Sequence, residues 1–360
     1  HPGRHGELRT VGLSSDGVPY VTASEGFQVT SVNKKKLTVT HQDPNCMATF
    51  YAPKNAFQDI HLHSIVSLDV TKGGLGVSVC AKNKLKIWDV QRGIIRRELL
   101  GHVGDVYSCR FFPSGLVILS AGADMQLKIW SAETGQCPVT MTGHTAAILD
   151  TAIVDKGRNV ISVSRDGSAK LWDCGNSACL TTLIQLNNTI NGCYLGCPET
   201  GLGHLSNEEP ENSREVGTNG KLLLLACEDN CFRGVCVRSR QNIFTHPCEA
   251  PVNACCQVNS LQTVFGCQNG EIKLLDLRNT RDTVDTWLHS AASILSIIPL
   301  NEGFVCSKLD GSCMYYSPKL DNSWQLSGPD CDPVYKIAFD ETHLYTCCRD
   351  GIIRKYEVKN

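Results

Sequence analysis

The sequence predicts an all-β fold, a seven-bladed β-propeller with a small N-terminal β appendage. One observation is a turn-plus-strand segment that recurs along the chain, as in "GADMQLKIWS" (122–131), "SRDGSAKLWD" (164–173), "CQNGEIKLLD" (267–276) and "CRDGIIRKYE" (348–357). A second is its spacing: the last strand positions, Trp88, Trp130, Trp172, Val235, Leu275, Tyr316 and Tyr356, stand 42, 42, 63, 40, 41 and 40 residues apart. The third is alternation at period two within each unit, as in "DVYSCRFF", "LVILSAG", "LKIWS" and "PVTMTG". Four short strands per unit cannot bury both faces of one sheet, so the units must stack on one another, and strand-only repeats of this length form propeller blades.

The long interval contains "CPETGLGHLSNEEPENSREVGT" (197–218), rich in Pro, Gly, Glu and Asn, which reads as an exposed insertion inside the fourth unit. The chain ends at "KYEVKN", before an outer strand for the last blade could follow. An open edge would result. "MATFYA" (47–52), just ahead of the first inner strand "IVSLDV", is expected to supply that outer strand. The propeller is therefore placed at 46–360. Residues 1–45, with "YVTASEG", "FQVTSV" and "KKLTVTH", form the appendage, because no unit-like spacing fits over them.

At 360 residues, with 42% hydrophobic and 19% charged positions, the chain fits a water-soluble globular protein, and no apolar run is long enough for a membrane helix. The 34 basic and 36 acidic residues nearly cancel, so no sequence-wide basic field favours nucleic acid. The chain opens on His1 without a signal-type apolar stretch, which places its start inside a longer product. Twenty cysteines could mean disulfides, zinc or a reducing compartment. They stand in adjacent pairs (Cys255 and Cys256, Cys347 and Cys348) or inside apolar strands (Cys109, Cys193, Cys267, Cys306). "CEDNC" (227–231) and "CYLGC" (193–197) lack a second ligand pair. Buried thiols in a reducing cytoplasmic or nuclear compartment are the simpler reading, with no metal and no cofactor.

Ser162, His144 and Asp166 have the composition of a hydrolase triad. The second unit, however, repeats the constellation, with His102, Ser120 and Trp130 at the same offsets from Asp124 as His144, Ser162 and Trp172 have from Asp166. A catalytic triad occurs once. A repeated one is a structural tetrad, a buried polar chain that ties loop to turn to strand. In the first unit only Ser78 and Trp88 remain, with Lys82 at the aspartate position. No GxSxG elbow, HExxH or phosphate loop occurs, so no enzyme is expected.

The "GH" to "WD" spacing with an aspartate-led turn, above all in "GHVGDVYSCRFFPSGLVILSAGADMQLKIWSAETGQC", resembles the WD-repeat family. "DGVPYVTASEGF" (16–27), "DCDPVYKIA" (330–338) and "YTCCRDGIIRKY" (345–356) are not general features of that family and resemble its proteasome-associated branch. The resemblance implies an assembly chaperone of the proteasome regulatory particle that binds a proteasomal ATPase subunit. A WD-repeat scaffold or ubiquitin-ligase substrate receptor is the alternative.

Partner contacts are expected on the face that carries the tetrad turns, since loops on a rigid scaffold commonly carry function. Acidic residues gather there (Asp105, Glu228, Asp229, Glu249, Asp330, Asp332), with Tyr107 and Tyr335 as aromatic anchors and Arg165 and Arg349 beside the tetrad aspartates. Such a rim suits a basic segment of an ATPase. The chain on its own is expected to be a monomer.

Overall fold

The computed structural model describes residues 6–41, 47–198, 212–317 and 323–358, and every regular element among them is a β-strand. The N-terminal strands are β1 (Leu8–Leu13), β2 (Pro19–Ala23), β3 (Phe27–Val32), β4 (Lys36–His41), β5 (Met47–Tyr51) and β6 (Asn55–Phe57). Thereafter each unit folds as a meander of hydrogen-bonded neighbours in chain order. The tight turns between second and third strands place a residue at positive φ at one recurring position, including Asn83, Met125, Gly167, Asn230 and Gly351.

Six sheets are four-stranded blades: 65–99, 106–142, 148–185, 190–247, 252–288, and 334–356 with β6. Counted in this way the propeller is six-bladed, which corrects the expected seven. The unit beginning at Ile294 ends in a three-residue strand, Trp324–Leu326, whose outer edge pairs in parallel with β5, and β4 and β3 extend the sheet to seven strands. A short edge strand leaves backbone donors and acceptors open, and the N-terminal strands satisfy them. Aromatic packing fixes the junction. Tyr315 stacks on Trp324 at 4.9 Å, Tyr51 meets Trp324 edge-on at 5.6 Å, and Lys36 lies over Tyr51.

Two further expectations are corrected at the same place. Residues 47–51 belong to this composite sheet, whereas β6 closes the last blade by pairing with Ile353–Tyr356, supported by a 2.8 Å ion pair between Lys54 and Glu357. The N-terminal region is likewise not a separate appendage, since β3 and β4 are strands of the composite sheet and only the β1–β2 hairpin stands apart from it. Residues 199–211 of the insertion lie outside the described residues. In its remainder Cys197, Asn212, Ser213, Arg214 and Val216 are exposed, and Glu215 and Thr218 anchor the segment to the blades. Glu215 is buried between Arg238 and Arg240, the Arg214 guanidinium reaches Asp173 at 3.2 Å, and Val216 N–H donates to Asn159 Oδ1 at 2.7 Å.

The innermost strands form a closed circle in which each packs on the next, including the last, Val334–Phe339, on the first, Ile65–Val70. Side chains of one strand accept backbone N–H groups of its neighbour: Asp69 Oδ2 from Phe111 N at 2.7 Å, Ser67 Oγ from Cys109 N at 3.2 Å and Asp150 Oδ2 from Cys193 N at 3.3 Å. Burial would raise the Asp150 carboxyl, but Lys336 and Arg110 outweigh it and hold the group low. Asp69 lacks a cation as close, and burial raises it. Apolar clusters fill the seams between sheets. Trp130 packs with Val77 and Val79 of the preceding blade, Trp172 with Leu119 and Ile129, and Trp88 with Tyr345 and Phe57 across the closure. The strand-borne cysteines Cys109, Cys193, Cys267 and Cys306 are buried and behave as small apolar side chains.

Candidate functional site

The tetrads come first because they hold the loops that form the face. In the third blade, His144 Nδ1 lies 2.8 Å from Asp166 Oδ2, its Nε2 lies 2.7 Å from Ser162 Oγ, and Trp172 donates its indole N–H to that hydroxyl at 2.8 Å. The second blade matches it. His102 stands 2.8 Å from Asp124 and 2.6 Å from Ser120, and Trp130 donates to Ser120 at 2.8 Å. The glycine of "GH" has a packing cause: a Cβ on Gly143 would meet the Trp172 ring at 3.3 Å, and one on Gly101 the Trp130 ring at 3.2 Å, both at positive φ.

Burial depresses the imidazoles of His102 and His144, and the paired aspartates oppose it only in part. Burial alone would raise Asp166, yet hydrogen bonds from Ser168, Thr145 N–H and His144 pull it down to about 2. A neutral imidazole facing an ionised carboxylate carries its proton on Nδ1, so Nε2 accepts from serine and serine accepts from tryptophan. Ser162 and Ser120 have no exposed surface, and both of their hydrogen-bonding roles are used. Neither hydroxyl can reach a substrate. The tetrads stiffen the turns and do no acyl chemistry.

A β-bulge recurs at one place in the innermost strands, between Val106 and Ser108, Ile148 and Asp150, and Val334 and Lys336 among others. A bulge re-aims the extra residue. The residues concerned, Val66, Tyr107, Leu149, Asn191, Asn253, Leu295 and Tyr335, are all half-buried at the tetrad end of the strands. Tyr107 and Tyr335, expected as anchors, thus occupy equivalent positions. Asn191 and Asn253 instead reach the next blade, donating to Val252 O and Ile294 O at 3.0 Å each.

The expected rim residues divide into paired and unpaired groups. Arg165 lies over the Tyr107 ring at 5.7 Å, and Arg349 holds Asp332 at 2.7 Å. Asp229 takes both 2.7 Å bonds of the Arg233 guanidinium, and Glu228 accepts from Asn191 at 2.7 Å. Asp105, Glu249 and Asp330 are exposed and have no side-chain partner among the described residues. Half of the acidic set is therefore already bound within the chain. Asp330 and Cys331 both adopt positive φ, 45° and 68°, in the loop that leads to Asp332 and Tyr335. Consecutive left-handed residues other than glycine mark a constrained loop.

One tetrad member escaped the sequence reading. His61 Nε2 lies 2.8 Å from Ser78 Oγ, to which Trp88 also donates at 3.1 Å. The buried Ile60 stands where the other blades have glycine, so the "GH" signal is lost. Only its distance ahead of Ser78, 17 residues against 18 elsewhere, marks it.

Repeated four-stranded sheets around a closed circle of inner strands, braced by His-Ser-Asp-Trp tetrads, define a WD-repeat propeller, and the WD domain, G-beta repeat family matches residues 93–131 and 135–173. The chain belongs to the proteasomal ATPase-associated factor 1 family. It is 48% identical to proteasomal ATPase-associated factor 1 of Homo sapiens over all of this chain and 92% of that protein. The Gallus gallus protein of the same name is 50% identical over 99% of this chain and 91% of its own length. The probable factor of Dictyostelium discoideum is 36% identical over 98% of this chain and 88% of its own.

Proposed function

We propose that the chain is a non-catalytic protein-binding propeller that binds an ATPase subunit of the proteasome regulatory particle and acts as a chaperone in its assembly, in the cytoplasm. The observation that carries this reading is similarity along essentially the full chain to relatives named for association with proteasomal ATPases. The tetrad-bearing face supports it in kind. Tyr107 and Tyr335 are half-buried aromatics on the inner strands, and Arg165, Arg349 and the unpaired Asp105, Glu249 and Asp330 lie on the loops and turns of the blades. Aromatic and arginine anchors within a polar rim are the composition of a protein-binding hot spot.

The test is direct mixing of the purified chain with the separate C-terminal domains of the proteasomal ATPases, read by calorimetry. Saturable binding to one of them supports the reading. Absence of binding to all of them, or recovery from cells of a ubiquitin-ligase adaptor in place of ATPases, would sink it.

A further inference from the structure

The first blade holds a tetrad without its acid. His61, Ser78 and Trp88 are connected as in the second and third blades, but Lys82 stands exposed on the turn where those blades have Asp124 and Asp166. His61 is buried, and its Nδ1 has no hydrogen-bond partner among the described residues. Asn83 Oδ1, on the same turn, is also buried without one.

The proton on the ring can be located. Ser78 is fully buried, and its oxygen accepts the Trp88 N–H, so its own proton needs an acceptor; His61 Nε2 is the one in reach. Burial, followed by the charge of Lys86, lowers His61 to about 4, so the ring is neutral at pH 7. Its single proton then sits on Nδ1. That N–H is the counterpart of the one that meets a carboxylate oxygen in the complete tetrads.

In those blades the oxygen receives two donors. Asp124 Oδ2 takes His102 Nδ1 at 2.8 Å and Val103 N at 3.2 Å, and Asp166 Oδ2 takes His144 Nδ1 at 2.8 Å and Thr145 N at 3.0 Å. The residue after His61 is Leu62, 90% exposed, and its backbone N–H has no acceptor among the described residues. The first blade thus keeps the histidine donor, has a free N–H on the residue that follows it, and carries a cation at the position of the internal anion.

We propose that this position binds a carboxylate supplied by a partner, an acidic side chain or a chain terminus, held by the His61 Nδ1–H and Leu62 N–H with Lys82 as its counter-ion. Charge-assisted bonds to two fixed donors and an ammonium favour an anion over water. Nδ1 is buried, so entry needs the turn at 81–83 to shift against its backbone bonds, Ala81 N–H to Ser64 O at 2.9 Å and Asn83 N–H to Cys80 O at 3.0 Å; Ala81 and Lys82 are exposed, and Asn83 Oδ1 adds no further tie. Ser64, next to the site, donates to Arg349 O at 2.8 Å, so a ligand here lies beside the Asp332–Arg349 pair of the rim. The site adds a ligand chemistry to the face proposed above for partner binding, but small carboxylates test it whatever the partner is.

The full chain, with ¹⁵N-labelled histidine, is titrated at pH 7 with sodium acetate against sodium chloride at equal ionic strength. The expected result is a saturable shift of the His61 ring nitrogens with acetate, half-complete at roughly 10–100 mM, and none with chloride. Lys82→Asp supplies the missing acid, brings the His61 resonances towards those of His102 and His144 without ligand, and abolishes the acetate response. N-acetylglycine and N-acetylaspartate α-methylamide separate the two sources, the tighter binder marking a terminus or a side chain. Equal responses to acetate and chloride, or an acetate shift undiminished in Lys82→Asp, overturns the proposal.

Discussion

The Arg165 guanidinium lies over the ring of Tyr107, 5.7 Å from its centroid, and joins the tetrad turn of the third blade to the inner strand of the second. Arg165 is exposed and is not among the tetrad's own residues. Exposed cation–π contacts are worth about 0.5–1 kcal/mol, so Arg165→Ala should barely change the urea midpoint. If the rim binds an ATPase, the same variant should weaken that binding at least several-fold. An unchanged affinity would remove Arg165 from the contact.

Ser162 joins one buried donor and one buried acceptor through a single hydroxyl. Ser162→Ala leaves His144 Nε2 and the Trp172 indole N–H without their partner in a fully buried seam. Unmade buried hydrogen bonds cost about 1–3 kcal/mol each, so a loss of about 2–4 kcal/mol in urea denaturation is expected. Partner binding should persist in the variant while it remains folded.

The acid limb of stability follows from the shifted groups. His61 titrates at about 4 when folded and near its ordinary 6.5 when unfolded. Between those values the unfolded chain takes up a proton that the folded chain refuses. Stability is therefore full above pH 6.5 and falls as pH drops towards 4, by at most about 3 kcal/mol from His61. His102 and His144, also lowered, add to the same slope. Asp166, held at about 2, acts further down: its stabilisation is present above its ordinary 3.8 and is lost as pH falls from there through 2. Urea midpoints at pH 7.5, 5.5 and 4.0 should decline, and Lys82→Asp should flatten the slope by raising the His61 pKa. A flat profile in the parent chain would contradict the burial argument.

The closure of the ring makes truncations unequal. Removal of residues up to 23 takes away only the β1–β2 hairpin, whose strands pair with each other. Removal up to 57 also strips β6 from Ile353–Tyr356 and β5 from Trp324–Leu326. Two edges then open, and open edges recruit other chains. Size-exclusion chromatography should show the shorter truncation monomeric and the longer one aggregated or unfolded.

Glu215 is the buried anchor of the insertion. Glu215→Ala would leave Arg238, itself largely buried, without its carboxylate. Breaking one side of a buried pair costs about 3–5 kcal/mol, and a thermal melt should register it. A change within error would mean that the segment from 212 to 218 is held by its other contacts.

The two full tetrads were legible because their four residue types recur at fixed offsets, and each member has a local reason to be there. His61 was not, because Ile60 replaces the glycine that announces the motif and Lys82 replaces the acid that completes it. The acidic rim was legible only as a list of side chains. Whether Asp229 or Asp332 is available depends on Arg233 and Arg349, and the same letters could have left them free.

Period, strand alternation and turn chemistry are local properties, and from them alone follow the all-β class, the repeated sheets and the tetrads of the second and third units. How the ring closes is not local. The outer edge of Trp324–Leu326 is paired by β5, and β6, which follows after three residues, serves the last blade. The letters of 47–52 suit either role, and only the positions of the two open edges, set by all the intervening sheets, select between them. Backbone donors and acceptors must be paired wherever they are buried, and which strand pairs them is a matter of distance in the folded chain.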